Sequence, residues 1–459
     1  MASVESPPND HGQGYPRITK SSPVRDLGPA GLDYERCDAL HNELLRRGVE
    51  GSGREMPPSP QSYWEAAAPS GEVTSRSGRR WLTLFHYLRG LAEPSRMVDV
   101  YVGCENEVPP GTFIRLYELS RFREGDNEGI LLDQDTMKAS FITDYNNTPG
   151  VCALPYAWIP LEVILDAYLQ MIDDGKVEAV TDDRIYDLAD NFDSTWVDKP
   201  WVIHQYTAAD VGRAVTAFKR LVAAIHARLP EDNSKGNQST DWIDLPWLDP
   251  AAFTQHNVLP PSTFAHEFLM AISYIKVRFC YVAPGLRFPT VSEHHPRNDV
   301  GQFPGDCPLK IFQLVCDQPV PDPHTPHWTE LDLPAGFYIH PVVREPPLCY
   351  SNGCHLSLPF EFGKKGYARK TNREPFGRGD RDFKPEPRNE HAGLYQPGYT
   401  NGFSDHHDVQ IDEVLRNRAE RVERGDWDVD CDGVMGGINK FREADTEEHW
   451  EKYWIPPSW

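Results

Sequence analysis

The stretch Trp158-Ile159-Pro160-Leu161-Glu162-Val163-Ile164-Leu165-Asp166-Ala167-Tyr168-Leu169-Gln170-Met171-Ile172-Asp173-Asp174-Gly175 decides the fold of this chain. Leu161, Ile164, Leu165, Tyr168, Leu169 and Ile172 recur at helical spacing, which predicts an amphipathic helix over 159–173. Pro160 suits its first turn, where a missing N–H has no partner to lose, and Gly175 stops it by taking the left-handed conformation. Downstream, Trp201-Val202-Ile203-His204-Gln205-Tyr206 reads as a short strand feeding a second helix. Thr207 and Asp210 make a capping pair there. Val211, Val215, Phe218, Val222, Ile225 and Leu229 form the second stripe, and Pro230 ends it. A strand leading directly into a helix is the grammar of an α/β protein. The expected fold class is therefore α/β, a mixed sheet with flanking helices in one large domain.

The rest of the chain arranges itself around that unit. Residues 1–75 are rich in Pro, Gly, Ser and charge and predict disorder, apart from a helix near 34–47. The catalytic core is expected over 76–345. Residues 81–88 are a helix or a strand, and 98–103, 112–119 and 139–143 supply the front half of the sheet. Residues 229–259 read as loop and 262–274 as a third helix, with Phe264, Phe268, Ala271 and Ile272 on one side. An alternating strand over 275–282 follows, then strands over 309–315 and 336–343. Residues 346–405 form a basic Gly/Pro-rich arm. The tail, 406–459, carries a helix over 409–424 and Trp427, Trp450, Tyr453, Trp454 and Trp459, aromatics dense enough to require docking on the body.

Composition bounds the function classes. A length of 459 residues is enough for a full core, and 69 acidic against 46 basic residues give a formal charge of −23. That balance opposes wholesale wrapping of nucleic acid or adhesion to an anionic membrane, while leaving room for a local basic contact. Nine scattered cysteines argue against a disulfide framework. No signal-peptide pattern opens the sequence, and no apolar run approaches the roughly 20 residues that span a bilayer. The expectation is a soluble, cytoplasmic protein.

Four groups of residues carry candidate chemistry. Asp173, Asp174 and Glu178 place carboxylates at a helix exit, where they oppose the helix dipole, and Asp182 and Asp183 enlarge the cluster. Such charges can hold a guanidinium or ammonium group, or simply face solvent. On the third helix Glu267 and Tyr274, seven residues apart, would share a face beside His266 and orient an amine or move a proton. His324, His327 and Glu330 form a run in which the spacing is wrong for ligands on one strand face. The clusters His294-His295, His406-His407-Asp408 and Cys349 with Cys354-His355 lack a partner of metal-site spacing. No metal is assigned. Between residues 364 and 384, Lys364, Lys365, Arg369, Lys370, Arg373, Arg378, Arg381 and Lys384 stand against three acids. Tyr367, Phe376 and Phe383 are interleaved among them. Bases with aromatics between them suit phosphate and unpaired nucleotides, or else a flexible loop paired with the acidic body.

Residues 158–168, continuing through Lys176-Val177-Glu178, and residues 211–230 resemble the arginine-containing cyclodipeptide synthases of fungal metabolite clusters. The resemblance covers about 80 residues. That family's short acidic motif, Asp-Asp-x-x-Glu, has its nearest match in Asp173-Asp174 to Glu178, one residue longer. The resemblance implies an enzyme that joins two aminoacyl-tRNAs, one of them arginyl-tRNA, into a diketopiperazine. No cofactor is implied, because the tRNA ester is already activated. On this reading Asp173 and Asp174 hold the arginyl guanidinium, while Lys364, Lys365, Arg369, Lys370 and Arg373 meet the tRNA acceptor end. Glu267, Tyr274 and Glu178 are the expected catalytic groups. Ser95, Cys104 and Ser273 are open as nucleophiles, as are the second amino acid and the oligomeric state. Two other readings stand beside it: a metal-dependent oxygenase built on His324, His327 and Glu330, and a non-catalytic acidic scaffold.

Overall fold

A computed structural model of the chain describes residues 17–19, 21–25, 32–54, 113–118, 129–133, 136–142, 158–181, 183–184, 195–198, 201–230, 263–289, 309–315, 335–339, 351–371, 373, 375–376, 393–396 and 409–456. The first helix, α1 (Tyr34–Gly51), starts where Asp33 accepts a hydrogen bond from the Arg36 backbone N–H. Strands β1 (Phe113–Glu118), β2 (Gly129–Asp133) and β3 (Lys138–Ile142) pair antiparallel, and the two-residue β4 (Ile159–Pro160) adds to β3. Helix α2 (Leu161–Asp173) follows at once. Pro160 is thus the residue before the helix and the edge of a sheet, where its missing N–H again has nothing to satisfy. Leu161, Ile164, Leu165 and Leu169 of α2 meet Cys37 and Leu40 of α1 and Ile130, Leu132 and Ala139 of the sheet in one core. Tyr168 and Ile172 pack at its margin, while Met171, off the stripe, is also buried.

Gly175 takes φ +72°, as a helix stop requires, and turns the chain into β5 (Val177–Ala179). With β6 (Thr195–Asp198) and β7 (Trp201–His204) it makes an antiparallel sheet of order β5-β7-β6. Helix α3 (Ala208–His226) begins with a full capping box from Thr207 and Asp210. Phe218, Val222 and Ile225 are buried as the stripe demands, together with Ala214, Ala217 and Leu221. Helix α4 (Phe264–Ile272) stops two residues short of the expected end. Ala271 is exposed, and Ala265 and Leu269 complete the buried side instead.

The largest sheet contains β8 (Tyr281–Ala283), β9 (Leu286–Arg287), β10 (Leu309–Leu314), β11 (Gly336–Ile339), β12 (Cys354–Ser357), β13 (Val429–Asp430) and β14 (Gly433–Val434). Its order is β12-β11-β10-β9-β8-β14-β13, antiparallel except for the parallel pair β14–β8, so the sheet is mixed and the fold is α/β. Gly433, at φ +112°, makes that pair possible, since a Cβ there would run into the Tyr281 carbonyl. Helices α3 and α4 pack against it with α5 (Ile411–Glu423), and α3 lies along α5. A 3-10 helix (Ile438–Asp445) and α6 (Trp450–Tyr453) close the chain.

Three expectations change. The strands near 112–119 and 139–143 belong to the separate β1–β4 sheet rather than to the front of one large sheet. Residues 276–280 alternate in burial as predicted, yet only Tyr281–Ala283 forms the strand; the amides at 280 and 281 both donate to the Asp432 carbonyl. β12 was not foreseen: Cys354-His355-Leu356-Ser357 lacks the β-branched residues that mark strands. The segments at 81–88 and 98–103 lie outside the described residues.

Candidate functional site

Two of the predicted site residues, Glu178 and Glu267, reach the junction between β7 and α3, residues 204–207. Each of these four positions meets a different partner. His204 Nε2 lies 3.3 Å from Glu178 on the neighbouring strand, and Glu178 also takes Arg184 at 2.9 Å. The Gln205 carbonyl accepts from Lys176 Nζ. The Tyr206 hydroxyl donates to Glu267 at 2.8 Å. Thr207 closes the capping box with Asp210. The strand-to-helix turn thus gathers groups from β5, α3 and α4.

Lys176 is the buried centre of this arrangement. Having left α2, the chain turns its side chain inward, fully out of solvent, to reach Gln205 and the equally buried Asp210 at 3.3 Å. Asp210 also accepts from the Thr207 backbone N–H at 2.7 Å and pairs with Arg213. Arg213 then spans outward to Asp174 at 2.6 Å and Asp412 at 3.8 Å, and Asp412 holds Arg416 at 2.9 Å. One network therefore ties the exit of α2 to the starts of α3 and α5.

The carboxylates at the α2 exit are met by guanidinium groups of the chain itself. Asp173 takes Arg17 at 2.6 Å on one oxygen and Arg47 at 2.5 Å on the other. Arg17 also engages Asp166 and the Gln170 side chain, the latter at 3.0 Å. Asp174 takes Arg213 and, at 3.0 Å, the Gln170 amide. Planar two-sided contacts of this kind are the geometry in which carboxylates recognise guanidinium. Asp183 is exposed, and Asp182 lies outside the described residues.

Glu267 and Tyr274 are not brought together as expected. The helix caps at Ser273, so Tyr274 leaves the helical face and stands 78% exposed. The phenol beside Glu267 is Tyr206, whose proton is held tightly: burial first, then the hydrogen bond to Glu267, push its pKa well above the ordinary value. Tyr206 and His204 carry no local motif that marks them out within their strand segment. Their position at a strand–helix junction was the signal available. The Ser273 hydroxyl donates to the Met270 carbonyl at 2.8 Å. Ser95 and Cys104 lie outside the described residues, as do His324, His327, Glu330, His294, His295, His406, His407, Asp408 and Cys349. The buried Cys354 thiol donates to the Val409 carbonyl. Asp430, Cys431 and Asp432 bring ligand atoms within 4.8 Å at an exposed turn, where the Asp432 N–H already donates to Asp430.

The basic arm is held by the tail. Asp445 accepts three backbone N–H groups, from Lys365 and Tyr367 at 2.9 Å and from Ala368 at 3.0 Å. Trp454 Nε1 donates to the carbonyls of Lys370 and Thr371, while the Trp450 and Trp454 rings carry Arg369 at 5.2 Å and Arg373 at 4.5 Å. Lys364, Lys365 and Arg373 remain exposed, whereas Lys370 is buried. Arg378, Arg381, Phe383 and Lys384 lie outside the described residues. Among the described residues no helix is long and apolar enough to cross a membrane.

Burial, then the neighbouring Glu413 charge, raises the Asp412 carboxyl from 3.8 to about 6, against the pull of Arg416 and Arg213. A carboxyl whose pKa rises on folding favours the fold while protonated. Its contribution is complete below the unfolded value and is lost as pH climbs through the folded one. Asp412→Asn should therefore remove a loss of stability between about pH 4 and pH 7, worth at most about 3 kcal/mol. Urea unfolding across that range checks it: the two profiles converge at low pH and separate at neutral pH, and parallel profiles would contradict the assignment. Compared with protein-family models, curated proteins and solved structures, the chain matches none.

Proposed function

We propose that the chain is a cytoplasmic cyclodipeptide synthase that joins arginine from arginyl-tRNA to the amino acid of a second aminoacyl-tRNA. The observation that carries the reading is the α2 exit, where Asp166, Asp173 and Gln170 clasp the Arg17 guanidinium. A cluster of acceptors that fits one guanidinium in this way fits that of an arginyl group once Arg17 is displaced. Glu178 and His204 lie beyond the turn from that clasp and are paired to take a proton from an α-amine. The exposed Lys364, Lys365 and Arg373 offer charge to acceptor-end phosphates.

The chemistry is two aminolyses. The α-amine of one aminoacyl group attacks the ester carbonyl of the other, giving up a proton as the first tRNA leaves with its hydroxyl restored. The freed amine of the dipeptide then attacks the remaining ester, closing the six-membered ring and releasing the second tRNA. Both esters are already activated, so no nucleotide is consumed.

The test is incubation of the purified chain with tRNA charged with radiolabelled arginine and an aminoacylated tRNA pool. Transfer of label into a neutral-backbone diketopiperazine is expected, while label appearing only as free arginine would exclude the reaction. Arg17→Ala should lower the KM for arginyl-tRNA by vacating the clasp. Asp173→Ala should raise it about tenfold through loss of a charge-assisted contact, with little change in folding because the pair is part-exposed. Equal KM values in all three proteins would place the arginine elsewhere.

A further inference from the structure

Arginines of this chain commonly meet carboxylates: Arg17, Arg47, Arg213, Arg220 and Arg416 each hold one or more. Three others are stacked on aromatic rings instead, and all three lie where the basic arm docks on the tail. The Arg369 guanidinium stands 5.2 Å from the centre of the Trp450 ring, Arg373 4.5 Å from Trp454, and Arg442 of the 3-10 helix 3.8 Å from Phe360. Arg369 gives one nitrogen to the Gly366 and Ala368 carbonyls, and Arg442 one to Asn439. Among the described residues no carboxylate pairs with any of the three, and the Arg373 side chain makes no hydrogen bond. Three acids of the seam are engaged elsewhere: Asp445 on backbone amides, Glu361 on Lys364 and Glu443 on Lys440.

The spacing is matched across the seam. Arg369 and Arg373 are four residues apart, as are Trp450 and Trp454, whose backbones are joined by a helical hydrogen bond at 3.1 Å. Trp454 Nε1 donates to the Lys370 and Thr371 carbonyls at 3.0 and 3.1 Å, which fixes the turn that carries Arg373. Arg373 itself adopts φ +69°, in the left-handed region that disfavours a side chain, so the turn holds it against its backbone preference. It is exposed, as are Lys365 and Arg442. Each ring covers one face of a guanidinium, and on Arg373 the other face and the N–H fork are open to a ligand.

We propose that this seam receives the unpaired 3′ end of tRNA, with Arg373 stacking on a base and its N–H fork taking the neighbouring phosphate. Trp454 is then a positioning residue, which holds the guanidinium plane. A chain of formal charge −23 repels RNA at long range, so affinity must come from contacts of this local kind. Guanidinium planes stack on nucleobases, and only unpaired nucleotides offer a free base face. A phosphorylated side chain of a protein would use the fork but leave the plane idle. The inference rests on the synthase reading for the identity of the RNA, and it names the part of that RNA which the chain holds.

The experiment is equilibrium binding of the full chain to uncharged tRNA, read by fluorescence anisotropy, beside the same tRNA trimmed of its unpaired 3′ nucleotides. Wild type should bind the trimmed form roughly tenfold more weakly. Arg373→Ala should erase that difference and lower the salt slope of log affinity for the intact tRNA by about 1. Arg373→Lys keeps a charge without the plane, so it should keep the slope and still erase the difference. Trp454→Phe retains a ring and should discriminate as wild type does, whereas Trp454→Leu should not. Equal binding of the two RNAs by wild type overturns the proposal, as does discrimination that survives Arg373→Lys. Tighter binding of a phosphoserine peptide than of tRNA overturns it in favour of a protein partner. Equal binding of the two RNAs together with arginine transfer into the diketopiperazine would overturn this inference alone, and discrimination without transfer would overturn the synthase reading alone.

Discussion

Asp210→Ala is expected to destabilise the fold by about 3–5 kcal/mol, the cost of breaking a buried ion pair from one side. Asp210 and Lys176 are both wholly out of solvent, and the carboxylate serves three partners: Lys176, Arg213 and the first backbone N–H of the α3 cap. Removing it takes that carboxylate from the Lys176 ammonium and breaks the capping box as well. Lys176→Met should cost less, because Asp210 keeps Arg213 and Thr207 and no charge is stranded without a partner. Denaturant unfolding of the two variants reads the difference. If Lys176→Met were the more damaging of the two, the pair would owe its role to the packing of the lysine stem rather than to charge.

Trp427→Ala should cost about 3–5 kcal/mol by removing a large buried side chain. The indole packs edge-on against Phe441 at 6.0 Å and beside Tyr453 at 6.5 Å, and the Trp427 carbonyl accepts from Arg228 of the α3 C-terminal turn at 2.9 Å. Phe441 belongs to the 3-10 helix that ends in Asp445, the residue that gathers the amides of Lys365, Tyr367 and Ala368. Loss of the indole should therefore also loosen the basic arm, although no atom of Trp427 is bonded to it in the described contacts. Hydrogen exchange at those three amides checks this. Protection that stayed at its wild-type level relative to global unfolding would mean that the arm is held independently of the tail.

The helices were legible because their periodicity is local. The stripes of α2 and α3, the Thr207–Asp210 box and the Gly175 stop all depend on residues within a few turns of one another, and each appears where the sequence places it. The sheets were less so. Nothing local separates β1–β4 from the larger sheet, and β12 owes its existence to the ladder with β11 rather than to strand-forming side chains. At the site, the three acids were visible but their partners were not. Arg17 reaches Asp173 across 156 positions, and Arg213 reaches Asp174 across 39. Lys176, between Asp174 and Glu178, has nothing in its sequence context that marks it, whereas the fold turns it into the buried centre. The pairing of Glu267 with Tyr274 assumed a helix longer than the one that forms, and Tyr206 takes that place from a different element.

The most direct test of the synthase reading is mass spectrometry of a heterologous host that expresses this chain alone. The account predicts a new cyclic dipeptide ion that shifts with isotopically labelled arginine and whose formation in lysate stops on ribonuclease treatment. Soluble, folded protein that yields no arginine-labelled ion, or one indifferent to ribonuclease, would contradict it.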